Sequence, residues 1–262
     1  QAHDTTGKPL RASLRDLAGD ILEPLSLDIH EGEVLGVTGL AGSGFEEIPY
    51  LMFGAWSPKA GRLELGDGDL DLDLDLTKMI PSRAISLGMA LIPADRQKDG
   101  SVGSLSIAEN ISLQVLNQYF NGIKLDRRSM MRQSQGLMTE YDVRPNDPRL
   151  AYGSLSGGNQ QKALLAKWMQ TDPSLLLLHE PTQGVDVGAR QQIYGMIRAA
   201  AEKGMAAVCA SSDYEQLATI CDRVYVFGRG QVVATLTGTE VTKERITEQC
   251  YNSVSLEESV IS

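Results

Sequence analysis

Short, uniformly apolar runs separated by helix-like segments constrain the fold of this chain most strongly. The runs Met89–Ile92, Leu175–Leu178 and Ala206–Ala210 have the length of strands and carry no polar face. Strands of this kind are buried on both sides, and their alternation with helices is typical of a parallel sheet covered by helices. The sequence therefore predicts an α/β fold. Two further predicted strands are Glu33–Thr38 and Arg223–Phe227, and predicted helices lie near 161–170, 187–202 and 214–220.

A polar stretch from about 94 to 159 interrupts this pattern, because it holds helix-like segments and no buried-strand run. The Asp-Leu alternation from Asp69 to Leu76 has a period of two residues, which fits an exposed strand with one apolar face. The first residues carry neither an initiator Met nor a signal-peptide pattern, so we expect a fragment of a longer chain. We predict one domain over 8–252, with a core at about 8–93 and 160–252, a helical insert at 94–159, and a tail at 253–262.

Composition excludes several classes of protein. The formal net charge is −10, whereas nucleic-acid binders usually present a basic face, so we expect no nucleic-acid partner. No apolar run approaches the roughly 18 residues that a membrane-spanning helix needs. The three cysteines and three histidines stand far apart, without the spacing of metal ligands, so we expect no metal bound by these side chains.

A glycine-rich turn, Gly39–Gly44, follows the first predicted strand and opens a helix predicted to end near Phe53. Backbone N–H groups in such a turn can cradle phosphates. The usual loop continues with Lys, which reaches the terminal phosphates, and with Ser or Thr, which holds magnesium. Phe45 and Glu46 stand at those two places. The loop therefore has the form of a phosphate site without its two specific side chains.

The predicted strand 175–178 runs into His179 and Glu180. In nucleotide-hydrolysing sites of this pattern, an Asp at the first place holds magnesium. The next Glu polarises the attacking water. This chain keeps Glu180 but has His179 in place of the Asp, so Glu180 is the one catalytic candidate, and a doubtful one on its own.

The segment Leu155-Ser-Gly-Gly-Asn-Gln160 opens a predicted helix one element ahead of the strand 175–178. A serine hydroxyl and bare glycine amides at a helix N-terminus can meet a γ-phosphate, because the helix dipole and the free N–H groups favour anions. A turn containing Asp186 follows the strand. In this order the three elements predict a nucleotide-binding domain.

From about Ser13 to Tyr251 the order of these elements resembles the ATP-binding-cassette (ABC) ATPases, which implies a P-loop NTPase-like fold with a helical insert. The details are similar to the second cassette of bacterial ribose, galactose and xylose importers. They are Leu155 to Lys162, Glu180 to Ala189, the run Pro93-Ala-Asp-Arg96, and Ser211-Ser212-Asp213.

The resemblance implies that this chain's own ATP site is degenerate and that the isolated domain has little or no ATPase activity. Ala94 stands where the family has a polar Q-loop residue, and Ser212 stands at the place of the switch histidine. The departures from the family concern Phe45, Glu46, His179, Ala94 and the missing aromatic residue that would stack on adenine. The remaining residues of the degenerate loop are Gly39, Gly42, Ser43 and Gly44.

The family's head-to-tail pairing implies that the signature completes the Mg-ATP site of a partner cassette, carried in the same full-length polypeptide. The implied partners also include transmembrane permease subunits, contacted by about 95–118, and indirectly a periplasmic or extracellular sugar-binding protein. The implied location is the cytoplasmic face of the plasma membrane. The signature residues are Leu155, Ser156, Gly157, Gly158, Asn159 and Gln160, and Asp186 fits the neighbouring D-loop.

Two other functions stay open at this point. The first is a cytosolic ABC ATPase not tied to transport. Such an ATPase would be expected to have an intact Lys and a switch His, where this chain has Phe45 and Ser212. The second is an interaction domain that no longer uses nucleotide, for which pairing with an intact cassette would not depend on ATP.

Overall fold

A computed structural model describes residues 7–66 and 72–258, with side chains described up to 252. The chain divides into two compact units. The first contains the described residues up to Leu91, together with Ser174–Glu180 and the residues from Ile197 onward. The second contains Ile92–Pro173 and Pro181–Met196.

A six-stranded sheet, in the order β10-β9-β3-β8-β7-β6, contains all the strands predicted from the apolar runs. Strand β3 is parallel to β8 and β9, and β7 is parallel to β8, so the predicted parallel core is confirmed. Strands β3, β7 and β8 are buried along almost their whole length, as their composition requires. The strands are β3 Val34–Gly39, β6 Met89–Ile92, β7 Leu175–His179, β8 Ala206–Ala210, β9 Arg223–Gly228 and β10 Gln231–Thr237.

A second, antiparallel sheet in the order β2-β1-β4-β5 was not predicted. Its strands are half exposed and mix charged with apolar residues, so they lack the uniform apolar signal of the first sheet. The Asp-Leu alternation forms β5 at Leu72–Asp75, where Leu74 is buried and Asp73 pairs with Arg62. Residues 69–71 of that alternation lie outside the described residues. The other strands are β1 Leu10–Ala18, β2 Leu25–His30 and β4 Ala60–Leu65.

The helix predicted after the glycine-rich turn begins as a 3₁₀ turn, Phe45–Glu47, and continues as α1 Ile48–Phe53. The predicted helices α6 Val187–Glu202 and α7 Tyr214–Ile220 have the predicted bounds. Helix α8 was not predicted. It continues to residue 258, into the segment 253–262 that the sequence analysis predicted to be a tail. Residues 259–262 lie outside the described residues. Helices α2 Pro81–Ser86 and α8 Lys243–Glu258 complete the first unit.

The second unit is built from helices. Beyond Ile92, the β structure of its described residues is limited to isolated β-bridges. A buried apolar cluster that includes Ile107, Tyr152 and Leu155 holds the helices together. None of the described helices of the chain combines the length and the apolarity of a membrane span. The unit's helices are α3 Ile107–Ser112, α4 Arg127–Glu140, α5 Gly157–Met169 and the part of α6 up to Met196, with a π-helical turn at Arg96–Gly100 and a 3₁₀ segment at Leu113–Tyr119.

Candidate functional site

The predicted phosphate loop, Gly39–Gly44, leads from the end of β3 to the 3₁₀ turn that precedes α1. Gly44 has a φ of 94°, and a Cβ at this residue would lie about 3.1 Å from the backbone nitrogen of Leu22, so only glycine fits here without strain. Phe45 is 2% exposed and belongs to the core, rather than extending toward a ligand. Ser43 Oγ is buried and has no hydrogen-bond partner among the described residues. The loop therefore has the predicted backbone turn, with an apolar side chain packed inward from the lysine position.

The two glutamates after the loop bind backbone amides of their own protein. Glu46 Oε1 accepts a hydrogen bond from the N–H of Gly42 at 3.1 Å. The buried carboxylate of Glu47 accepts from Ile21 and from Leu22 at 3.1–3.3 Å. Glu46 thus directs an anionic oxygen at one of the amides that a phosphate loop offers to a phosphate.

His179, at the end of β7, is paired with an aromatic side chain. Its Nδ1 lies 3.0 Å from Tyr50 Oη, and the two rings meet edge to face with centroids 5.5 Å apart. Tyr50 also stacks on Trp56 with centroids 4.4 Å apart. Burial lowers the pKa of His179, against the opposing effect of the nearby Glu180 and Glu46 carboxylates. The imidazole is therefore neutral near pH 7 and offers no negative charge to a magnesium ion.

The carboxylate of Glu180 accepts hydrogen bonds from two serines that follow β8. It accepts from Ser211 Oγ at 2.8 Å, and from the N–H and Oγ of Ser212 at 2.6 and 2.7 Å. Glu180 has a φ of 46°, an uncommon backbone conformation for a residue other than glycine. Ser212, placed by the sequence at the switch position, thus contacts the one catalytic candidate directly.

The signature segment surrounds the start of α5. Ser156 is exposed, and its hydroxyl makes no hydrogen bond to the α5 amides; it accepts instead from the side chain of Asn159 at 2.9 Å. Gly157 is half-buried and Gly158 is buried. Helix amides without a side-chain cap are available to an outside partner. The serine and the first glycine thus stand at a helix N-terminus, as the sequence predicted.

Two other predicted signature residues point inward. Leu155 is 5% exposed and belongs to the apolar cluster of the second unit. Gln160 is 2% exposed, and its amide donates to the carbonyl of Leu155 at 3.1 Å. The two side chains are buried beneath the turn, so a ligand at the surface would contact Ser156 and Gly157 rather than Leu155 or Gln160.

Asp186 and Ala94 lie in the same unit as the signature. Asp186 Oδ1 accepts from the N–H of Ala189 and so caps α6. Its other oxygen approaches Gly158, where an added Cβ would lie 3.2 Å from it and 2.6 Å from the Ala189 side chain. Ala94 is half-buried and lies two residues before the π-helical turn. The signature and the D-loop position are thus packed together.

Sequence reasoning named the motif positions but missed the side chains that engage them. Tyr50 pairs with His179, Ser211 shares Glu180 with Ser212, and Glu47 ties residues 21–22 to the phosphate loop. These contacts join residues separated by between 25 and 129 positions in the sequence. No local pattern could have indicated them.

Comparison with known proteins gives one family for this chain. The family model described as ABC transporter matches residues 22–183. The chain is 37% identical over 238 residues to a putative ribose/galactose/methyl galactoside import ATP-binding protein of Pseudomonas fluorescens, covering 90% of this chain and 45% of that protein. It is 35% identical over 225 residues to a xylose import ATP-binding protein of Ralstonia nicotianae, covering 86% and 43%.

A nucleotide-free ATP-binding cassette from an ABC transporter superposes with a TM-score of 0.74 at 18% identity, over 91% of this chain and 95% of that one. This likeness confirms the predicted cassette fold. The chain spans a little under half the length of the curated relatives it matches. The family match covers well over half of the chain. The chain therefore belongs to the ABC transporter family.

Proposed function

We propose that this chain is one cassette of an ATP-driven importer for sugars of the ribose, galactose and xylose class. The observation that carries the proposal is the match of nine-tenths of the chain to an import ATP-binding protein for ribose and galactosides. The chain works at the cytoplasmic face of the plasma membrane with transmembrane permease subunits, and a sugar-binding protein delivers the substrate outside. A second cassette, in the same full-length polypeptide, is its direct partner.

We further infer that this cassette is the non-hydrolysing member of the pair. Phe45 supplies no positive charge at the lysine position, and its side chain lies in the core. Glu46 places a carboxylate at an amide of the loop. Two like charges about 4 Å apart repel by roughly 4 kcal/mol at an effective dielectric near 20. Both features support weak binding of Mg-ATP at this loop.

The residues around β7 support the same inference for hydrolysis. A neutral His179 bound to Tyr50 cannot hold a magnesium ion as an Asp does. Glu180 accepts three hydrogen bonds from Ser211 and Ser212, which leaves its carboxylate little remaining capacity to accept from a water. The residues at this loop and strand do not fit Mg-ATP, and we derive no hydrolytic step in this chain's own site.

The signature side supports a role in trans. Ser156 is exposed at the uncapped start of α5, beside the half-buried Gly157. A phosphate presented by a partner would meet a hydroxyl, backbone amides and the positive end of the helix dipole. In a head-to-tail pair the signature thus completes the partner's Mg-ATP site.

Mixing this chain with a cassette that has an intact phosphate loop tests the proposal. We expect pairing in gel filtration with Mg-ATP, none without nucleotide, and hydrolysis that appears only in the mixture. Turnover by the isolated chain in the usual enzyme range of roughly 1–10³ s⁻¹ would contradict the non-hydrolysing role. Pairing that is indifferent to nucleotide would indicate an interaction domain instead.

A further inference from the structure

A single guanidinium, that of Arg96, joins the signature segment to the turn that leads into α6. Arg96 Nε donates to Gln160 Oε1 at 3.2 Å, and Nη1 donates to the carbonyl of Gln183 at 2.7 Å. Gln160 in turn donates its amide N–H to the carbonyl of Leu155. The chain of hydrogen bonds thus runs from residue 183 through Arg96 to the first residue of the signature.

The third nitrogen of the guanidinium lies against two glycines. A Cβ built on Gly157 would lie 2.7 Å from Arg96 Nη2 and 2.6 Å from the carbonyl oxygen of Gly184. A Cβ on Gly184 would lie 3.7 Å from the same nitrogen. The absence of a side chain on Gly157 therefore leaves the space that the guanidinium occupies, whereas a Cβ on Gly184 would make only an ordinary contact with it. Any shift of Arg96 changes the surroundings of Gly157 directly.

The turn that carries Arg96 is itself held at both ends. Asp95 Oδ1 accepts from the amides of Gln97 and Lys98 at 3.0–3.1 Å, which caps the π-helical turn. Ser101 Oγ donates to the Arg96 carbonyl at 2.8 Å. The buried ammonium of Lys167 donates to the carbonyl of Gly100 at 3.0 Å. Single π-helical turns are rare and often occur at functional positions.

We propose that Arg96 is a positioning residue that fixes the signature turn against residues 183–186 and so sets where Ser156 and Gly157 meet the partner's nucleotide. The function assigned to Arg96 rests on the proposed role of the signature in trans. Its geometry needs the planar guanidinium, because two of its nitrogens donate to two separate acceptors while the third lies against Gly157. A lysine keeps the charge but has no such planar group.

Hydrogen exchange on the isolated chain tests the positioning without any partner. In Arg96→Gln and Arg96→Lys, amides in 155–160 and 183–187 should exchange about tenfold faster than in the wild type, with the urea midpoint little changed. Arg132→Ala, which removes an exposed arginine from α4 of the same unit, is the control and should leave those amides unchanged. Unchanged exchange in both Arg96 variants would overturn the proposal.

The second arm uses the pair with an intact cassette. If the wild type stimulates hydrolysis, both Arg96 variants should lower kcat about tenfold while the partner's KM for ATP stays the same, because they loosen the signature and leave the partner's own phosphate loop untouched. Full activity in Arg96→Lys would mean that charge alone suffices and would overturn the role of the planar guanidinium. If the wild type fails to pair, the proposed function fails, and the exchange measurement still decides whether Arg96 positions the signature turn.

Discussion

The phosphate loop and the signature turn offer the same chemistry, backbone amides at the start of a helix, but this chain treats them differently. At the phosphate loop the protein's own Glu46 binds the amide of Gly42, and Phe45 fills the core. At the signature turn Ser156 is exposed, and its hydroxyl leaves the amides of α5 uncapped. An amide of the phosphate loop is thus bound by a carboxylate of the same chain, whereas the start of α5 has no side-chain cap.

The two regions also differ in what surrounds them. The catalytic candidate Glu180 is held by serines, and His179 by a tyrosine. Behind the signature, by contrast, Arg96 and Gln160 support the turn without covering Ser156. A ligand at the phosphate loop would have to displace a hydrogen bond already made within the chain, whereas an exposed helix amide only exchanges water for the ligand. This difference supports the proposal that the cassette keeps the signature's part of the nucleotide chemistry and has lost the phosphate loop's part.

The largest expected effect, on hydrolysis by the pair, comes from placing a negative charge in the signature turn at Ser156. Under the proposed function, Ser156→Asp should lower hydrolysis by the pair at least about 100-fold, because the carboxylate would face the partner's γ-phosphate in a site that depends on electrostatic stabilisation. Asp is as good a residue as Ser at a helix N-cap, so the melting temperature should not fall. Ser154→Asp, at another exposed serine just before the signature, is the control. Normal turnover in Ser156→Asp would remove the functional difference between the two regions.

Restoring the usual residues of the phosphate loop should have an intermediate effect, on the affinity for Mg-ATP. Phe45→Lys with Glu46→Ser should tighten Mg-ATP binding at least about tenfold, or roughly 1.4 kcal/mol, as measured by calorimetry. Adding His179→Asp should tighten it again by restoring an anion for magnesium. Hydrolysis should still lag, because Ser212 and Ala94 are unchanged.

Glu46→Gln separates the charge from the shape of that side chain. It keeps an oxygen that can accept from Gly42 but removes the repulsion, so binding should rise less than in the double variant. Replacing the buried Phe45 risks a cavity, so melting curves must accompany each titration. Equal affinity in the wild type, the double variant and the triple variant, all folded, would contradict our interpretation of the loop.

The smallest expected effect is on the free energy of unfolding and concerns Lys167, which donates to the π-helical turn that carries Arg96. Burial lowers the pKa of Lys167 to about 8, below its usual value in an unfolded chain. Between these two values the unfolded chain binds the proton and the folded chain does not, so stability rises with pH. Relative to Lys167→Met, the free energy of unfolding of the wild type should increase by about 1 kcal/mol from pH 8 to pH 9. Lys98→Met, at an exposed lysine of the π-helical turn, should show the wild-type dependence, and a flat difference for Lys167→Met would contradict the burial effect.

The buried parallel strands could be predicted from the sequence to within one residue at each end, because strands such as β7 and β8 are apolar throughout. Strand β1 could not, since its buried residues alternate irregularly with charged ones and its partner β4 lies far along the chain. Its identity as a strand depends on tertiary pairing rather than on local composition.

In the candidate site, too, the sequence predicts some features and not others. The places of Phe45, His179 and Ser156 follow from motif order, so the sequence indicates which groups are missing and which remain. What those residues contact does not follow from it. That Glu46 binds Gly42, or that Arg96 joins 160 to 183, depends on side-chain packing in the folded chain.

The number and location of nucleotides held by the pair test the central claim most directly. Radiolabelled ATP retained with magnesium by this chain and an intact cassette gives the number, and a photoactivatable ATP analogue identifies the chain that holds it. We predict one nucleotide per pair, attached to the phosphate loop of the intact cassette, with loss of retention in Ser156→Asp. Two nucleotides per pair, or attachment within 39–46 of this chain, would contradict the account.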